Sequence, residues 1–340
     1  MDRIPKRIEV VCSNIGRLSS TARATQRAVV DVLSLHYLDV VATMVDSYED
    51  LQALAARQPD LVFAGMKFVP LGTKSDIDSS QKIWLPSYLQ EFGIACTGSG
   101  AEAYALELNK VLAKDRLLSK GLKTAKYEVV PSKATNLSLK SSLVYPLFIK
   151  PTNRRGGQGI DAASLARDPV ALEHKLHEVC RSLGADALVE EFLPGREFSV
   201  AILQHTEPGR YSVMPIELIA PETESGLRIL SKQIKNDNSE RVVAVEDEEI
   251  RESICRLAMD SFEALGAAGY GRIDIRLDAA GTPHFLEANL TPSITEGYGS
   301  FPKACELNED LGYEEMLLRI VSVALDTANR EKHATIPVLV

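Results

Sequence analysis

The residues best placed to do chemistry lie late in the chain. Arg272-Ile273-Asp274-Ile275-Arg276-Leu277 and Pro283–Asn289 flank a turn at Asp278–Gly281 and read as a β-hairpin. Strand side chains alternate, so Arg272 and Asp274 share one face while Ile273, Ile275 and Leu277 share the other. Pairing Leu277 with Thr282 sets Arg272 opposite Glu287, Asp274 diagonal to it, and Asn289 further along the same face. Phe285 falls on that face too in this register, and a one-residue slip would rearrange the set. Asp274, Glu287 and Asn289 offer two carboxylates and an amide oxygen, which suits Mg²⁺ bound together with substrate phosphates. The competing reading is an Arg272–Glu287 salt bridge on a solvated face.

Two further segments carry weaker signals. Lys150-Pro151-Thr152-Asn153-Arg154-Arg155-Gly156-Gly157-Gln158-Gly159 puts a lysine at a strand end and glycines after it. Backbone N–H groups can approach an anion at such glycines, and the lysine adds a point charge. The pattern is neither a Walker A loop nor G-x-G-x-x-G, and alone it equally fits a surface hairpin. Leu188–Glu197 is a strand running into a Pro194-Gly195 turn. Its backbone would suit an adenine edge and Glu197 a ribose hydroxyl, but by itself it reads as a solvated acidic turn. His174, His177 and Cys180 recur every three residues on an expected helix, a spacing that drifts around the axis. A solvated face with one buried cysteine accounts for them better than a soft-metal site does.

These residues need a scaffold. The chain has 340 residues, enough for two or three domains. An apolar fraction of 45% and a charged fraction of 25% argue for a folded core. The net charge of −9 disfavours nucleic-acid backbones and anionic membrane surfaces. No apolar run is long enough for a membrane span, the N-terminus lacks a signal-peptide pattern, and five scattered cysteines suit a reducing, cytoplasmic setting.

The first third alternates strand and helix signals. Strands are expected at Arg7–Cys12, Val40–Val45 and Asp60–Ala64, with helices at Thr21–His36 and Glu49–Arg57, implying a parallel sheet. Met66–Ser80 reads as a long loop and Gln81–Phe92 as a helix. After a boundary at Thr97-Gly98-Ser99-Gly100, helical spacing covers Ala101–Lys120. Strands follow at Lys126–Val130, Tyr145–Lys150, Ala187–Glu191, Glu197–Leu203 and Ser212–Leu218. Helices are expected at Pro169–Leu183, Glu246–Leu265 and Gly312–Asn329.

Taken in order, Thr97–Gly100, Lys110, Phe148–Pro151, Val189–Phe198 and Gly271–Pro292 resemble the ATP-grasp superfamily, and within it the D-alanine–D-alanine ligase family. The similarity spans about Thr97 to Ala324. It implies an α/β, three-domain fold: an N-terminal α/β domain over residues 1–100, a central subdomain over 101–193 and a C-terminal subdomain over 194–340, the last two clasping ATP. It implies phosphate contacts from Lys110, Lys150, Gly156, Gly157 and Gly159, with Lys232 nearby. Glu190, Glu191 and Leu193 match the adenine segment and Glu197 the ribose acceptor. Asp274, Glu287 and Asn289 match the ligands of two Mg²⁺ ions, Mn²⁺ being an alternative. Arg272, with a backbone N–H near Ser293, matches the group that stabilises a tetrahedral oxyanion. A cytoplasmic homodimer acting on amino-acid-like small molecules is also implied.

The chain departs from that family where substrate is read. The family has a glutamate in the first βα loop; Cys12–Ser20 holds no acid. Gly156 and Gly157 stand at its serine positions, Gln233 at its tyrosine, Gly65-Met66-Lys67-Phe68 at its His-Gly, and Tyr298 at a serine near the second substrate's carboxylate. Lys67 or Lys74 would meet an anionic group instead. The expected activity is therefore ATP-dependent carboxylate–amine ligation on something other than two D-alanines. D-alanine–D-alanine ligation and ATP binding without ligation are the alternatives.

Overall fold

The computed structural model describes residues 2–15, 18–19, 21–71, 81–153, 159–222, 228 and 239–334. The N-terminal alternation folds as β1 (Ile4–Cys12), α1 (Arg23–Leu33), β2 (Tyr37–Met44), α2 (Tyr48–Ala56), β3 (Leu61–Ala64), β4 (Phe68–Leu71), β5 (Gln81–Trp84), α3 (Leu85–Glu91) and β6 (Ala95–Cys96). The parallel sheet has the order β2-β1-β3-β6. Ile8, Val10, Val29, Leu33 and Phe63 are buried together on one side of it. Val11, Leu51, Leu54, Leu85 and Leu89 are buried on the other.

Two sequence expectations fail here. The stretch expected as a loop contains β4, which pairs antiparallel with β5. The helix expected from Gln81 starts only at Leu85, because Gln81–Trp84 is that partner strand and Pro86 marks the helix's first turn.

Thr97–Gly100 proves to be a junction. Thr97 Oγ1 accepts from the Ala64 N–H at 2.9 Å, and Ser99 Oγ exchanges hydrogen bonds with the backbone of Ala268 at 3.1 Å. Gly98 sits at φ +91°, and a Cβ there would lie 2.5 Å from the Tyr104 hydroxyl. The motif thus ties the N-terminal sheet to the last third of the chain.

Next come α4 (Ala101–Leu108), α5 (Lys110–Ser119), β7 (Tyr127–Val130), β8 (Leu147–Pro151), β9 (Leu165–Ala166), α6 (Pro169–His177) and β10 (Ala187–Glu191). The helix expected through Leu183 keeps α-geometry to His177 and continues as a π-turn over Glu178–Ser182. The antiparallel sheet runs β7-β10-β8-β9. Leu147, Ile149, Ala187 and Val189 pack on α6, so Phe148, Lys150, Leu188 and Glu190 face away from it.

The last part contains β11 (Glu197–Gln204), β12 (Tyr211–Ile219), β13 (Arg241–Ala244), α7 (Glu248–Ala264), β14 (Tyr270–Leu277), β15 (Pro283–Asn289), α8 (Ser300–Glu309) and α9 (Tyr313–Ala334). Its sheet runs β13-β12-β11-β14-β15. Phe198, Val200, Ile273 and Ile275 pack against Ile254 and Phe262 of α7. On the opposite face, Ala201, Leu203, Met214 and Ile216 join Phe301, Leu317 and Ile320 in the same cluster as Ile8 and Val29. The N-terminal sheet and this one therefore share a core. Helix α8 was not anticipated from sequence.

The hairpin register also differs from expectation. Leu277 pairs with Pro283, Ile275 with Phe285, Asp274 with Glu287 and Arg272 with Asn289, with the register shifting between Asp274 and Ile275. Leu286 is the extra residue of a β-bulge, which reverses the alternation along β15. Phe285 consequently joins the apolar core instead of sharing a face with Glu287.

Candidate active site

The two larger antiparallel sheets flank an open cleft. Phe148, Lys150, Glu190, Glu191, Phe192 and Leu193 line one wall; Glu197, Asp274, Arg276, Leu286 and Glu287 line the other. Strand alternation produces both walls. Lys150 and Glu190 sit on the face of their sheet that α6 leaves uncovered. Arg272, Asp274 and Arg276 alternate with Ile273 and Ile275, and the bulge brings Glu287 opposite Asp274. Arg276 stacks over the Phe192 ring at 4.9 Å, joining the walls.

Glu190 is the electrostatic centre. It is buried, with one carboxylate oxygen 2.6 Å from Lys114 Nζ and the other 2.7 Å from Lys150 Nζ. Burial opposes ionisation, yet the two lysines overcome it and hold the Glu190 carboxyl down at about 2. Burial also works against the Lys150 charge, but Glu190 and Glu287 outweigh it and keep that ammonium above its ordinary range. Lys110 is the first residue of α5, whose N-terminus Asn109 caps by accepting from Val111 and Leu112 N–H. A helix N-terminus is a poor local setting for a cation. Burial and Lys150 lower Lys110, while Glu287, Glu190 and Glu107 raise it, so its charge belongs to this same cluster.

On the opposite wall, Arg272 Nη2 donates to Asp274 Oδ2 at 2.9 Å and Ser199 Oγ donates to Asp274 Oδ1 at 2.8 Å. Arg272 therefore pairs with Asp274, where the competing reading of the hairpin has it bridging to Glu287. Glu197 accepts from Arg276 Nη1 at 2.8 Å, and Arg276 Nη2 donates to the Arg228 carbonyl at 2.7 Å.

Most of the expected site residues converge. Lys150, Glu190, Glu191, Leu193, Glu197, Asp274 and Glu287 line one cleft. Arg272 and Asn289 are register partners beside it. Gly159, at φ +76°, packs where a Cβ would lie 2.8 Å from Pro151 Cγ. Ser293 lies beyond β15, its hydroxyl 3.1 Å from that of Thr295, which is 2.8 Å from that of Thr25 on α1. The Glu191 side chain turns away from the cleft and accepts from the Val144 N–H at 3.1 Å, leaving its backbone as the cleft-lining part. Gly156, Gly157, Lys232 and Lys74 lie outside the described residues. Sequence reasoning missed Lys114 and Arg276. Lys114 on a helix reads as a solvated residue, and its only signal is its place four residues after Lys110.

At the strand ends of the N-terminal sheet, charged side chains pair locally. Asp46, from the loop after β2, reaches the first βα loop and accepts from Ser13 Oγ at 2.6 Å, Asn14 N at 2.7 Å and Asn14 Nδ2 at 2.8 Å. Lys67 is buried, pairs with Glu107 of α4 and lies 5.6 Å from the Tyr104 ring centroid. Among the described residues no group of three His, Cys, Asp or Glu could hold a metal, so His174, His177 and Cys180 form no site. Cys180 is buried, near the Val130 carbonyl. No helix among the described residues is long and apolar enough to cross a membrane.

A parallel α/β domain followed by two sheets that grip a charged cleft defines the ATP-grasp class. Solved structures of D-alanine–D-alanine ligase from Bacillus anthracis, one of them complexed with ATP, share this fold with TM-score 0.70 and 17% identity, covering 96% of this chain and 99% of theirs. Residues 117–322 match the family model described as D-ala D-ala ligase C-terminus. D-alanine–D-alanine ligases from Bordetella petrii and Pseudomonas putida are 30% and 28% identical, over 71% and 88% of this chain and 71% and 87% of theirs. The chain belongs to the D-alanine–D-alanine ligase family of ATP-grasp ligases.

Proposed function

We propose that this family member phosphorylates a substrate carboxylate with ATP and joins it to an amine, and that its substrates are not two D-alanines. The observation that carries the reading is the cleft, where Lys150 and Glu190 on one wall oppose Asp274 and Glu287 on the other. A carboxylate resists attack by an amine at neutral pH, and transfer of the ATP γ-phosphoryl group converts it to an acyl phosphate. Lys150 and Lys110 offset the negative charge of the transferring group. The amine then attacks, Arg272 with a backbone N–H near Ser293 stabilises the tetrahedral oxyanion, and phosphate leaves as the amide forms.

Asp274, Glu287 and Asn289 form an all-oxygen donor set that fits Mg²⁺. Two carboxylates and one amide leave coordination positions for phosphate oxygens and water, and the hydrogen bonds from Arg272 and Ser199 fix the orientation of Asp274. When bound there, Mg²⁺ would supply charge neutralisation on the phosphates.

The substrate reading rests on the first βα loop, which holds no acid of its own and whose Ser13 and Asn14 donate to Asp46. The test is phosphate release from MgATP over a panel of single and paired amino acids. Release that needs a pair other than D-alanine supports the proposal. Robust release with D-alanine alone would identify the chain as a D-alanine–D-alanine ligase with a rearranged pocket. ATP binding without release for any pair would make it a non-ligating relative.

A further inference from the structure

The β-bulge that turns Glu287 toward Asp274 is held from outside its own sheet. Strand β15 is an edge strand, and the segment before β7 closes that edge at one point. The Phe285 N–H donates to the Lys123 carbonyl at 2.9 Å, and the Thr124 hydroxyl donates to the Phe285 carbonyl at 3.0 Å. Thr124 is buried, and its Oγ1 also accepts from Lys114 Nζ. Lys114 in turn is paired with Glu190, which holds Lys150.

A continuous buried polar chain therefore runs from Lys150 through Glu190, Lys114 and Thr124 to the carbonyl just before the bulge. It links the triphosphate wall to the carboxylate wall. Packing alone does not require a threonine: Phe285 already fills the apolar core, and a valine would fit Thr124's volume. A threonine here satisfies a buried lysine and fixes the residue from which β15 changes face.

We propose that Thr124 is a positioning residue for the metal-binding face, acting through the Phe285 carbonyl and the Leu286 bulge to place Glu287 opposite Asp274. The inference rests on the Mg²⁺ reading of Asp274, Glu287 and Asn289. Loosening the bulge lets Glu287 wander between the two faces of β15, so the site binds metal less well although every ligand is present.

The experiment compares wild type with Thr124→Val and Thr124→Ser, and uses Glu287→Gln as the control for the metal face. Mn²⁺ binding in the presence of a non-hydrolysable ATP analogue is read by electron paramagnetic resonance, beside the Mg²⁺ dependence of turnover and thermal melts. Thr124→Val should weaken Mn²⁺ binding about 10-fold or more, as loss of an orienting partner does at other metal sites. Thr124→Ser should restore the metal affinity. A lower melting temperature with unchanged metal affinity in Thr124→Val overturns the proposal, since the hydroxyl would then hold only the fold. If Thr124→Val does not fold, Thr124→Cys, with its weak donor in a similar volume, should show intermediate affinity, and wild-type affinity there also overturns it. Unchanged Mn²⁺ binding in Glu287→Gln would instead remove the metal reading itself, a failure that this control reports separately.

Discussion

The cleft between the two larger antiparallel sheets and the strand ends of the N-terminal sheet use their charges in opposite ways. In the cleft, Lys110 and Lys114 of α5 and Lys150 of β8 each feel both Glu190 of β10 and Glu287 of β15, so charges from four elements act together. At the strand ends of the N-terminal sheet, charges close in small local sets: Asp46 holds Ser13 and Asn14, and Lys67 holds Glu107. A convergent cluster suits a triphosphate, whose charge is large and fixed. Local closure suits a pocket whose loops are set first and whose specificity follows from their shape. The contrast teaches that one chain can hold a shared charge cluster in one region and self-contained ion pairs in another.

The largest expected effect breaks the convergent cluster. Glu190→Gln would leave two buried lysines sharing no carboxylate, at about 3–5 kcal/mol of stability. The wild-type pH profile carries the same information. The Glu190 carboxyl is depressed from its ordinary 4.5 to about 2, so its contribution is complete above about pH 4.5 and is lost as pH falls toward 2. Thermal melts between pH 7 and pH 3 should show wild type losing stability below about 4.5. Glu190→Gln should be less stable throughout but shallower in that window. Equal stability of the two proteins at pH 7 would show that the lysines do not depend on Glu190.

Glu287→Gln comes next. It preserves shape and removes a charge from the face where phosphoryl-transfer charge develops. Turnover at saturating ATP and Mg²⁺ should fall about a hundredfold or more, matching several kcal/mol of transition-state stabilisation. The melt should move less than in Glu190→Gln, because Ile273, Ile275 and Phe285 on the opposite face are untouched. Near-normal turnover would return Glu287 to an ordinary surface carboxylate.

These residues differ in how far they could be read from sequence. Strand alternation alone sets Asp274 on a charged face, whereas Lys150 and Glu190 stand out only through the family resemblance, since by themselves their segments read equally as a surface hairpin and a solvated turn. The register is not legible, since the bulge at Leu286 depends on Lys123 and Thr124, more than 150 residues earlier in the chain. The parallel sheet is legible from alternating apolar runs, whereas β5 reads as helix in sequence because its partner strand lies in a segment rich in turn residues. Helix α8 hid behind Gly299, its N-cap, and Pro302, which its first turn tolerates. The role of Asp46 was invisible because it arrives from the following loop.

The strand ends of the N-terminal sheet give a smaller effect. With no acid in Cys12–Ser20, and Asp46 held on Ser13 and Asn14, the ammonium of a first D-alanine is expected to lack an ion-pair partner from that loop, at about 1.5–3 kcal/mol. That is roughly tenfold to a hundredfold in specificity against a substrate that suits the pocket. Side-by-side kcat/KM values for D-alanine and for the best substrate from the phosphate-release panel measure it. Equal values would erase the contrast between the two regions. Asp46→Asn is the complementary variant: if Asp46 serves only its loop, the melt shifts and the preference among amino acids does not.

The smallest effect separates two neighbouring glutamates. Glu190 faces the cleft and Glu191 faces the other side of the same strand, opposite Leu147. The Glu191 carboxylate accepts from the Val144 N–H and stands 3.8 Å from Lys126, whose side chain is 77% exposed. A pair that open to water contributes about 0–1 kcal/mol, and a glutamine oxygen can still accept from Val144. Glu191→Gln should therefore leave ATP affinity within about twofold and stability within about 0.5 kcal/mol. Calorimetric titration with MgATP and a denaturant melt check both. Any adenine contact at this position would come from the backbone, which the substitution preserves. A large loss of ATP affinity in Glu191→Gln would mean that the side chain turns into the cleft when nucleotide binds, and the division of labour along β10 would no longer follow strand alternation.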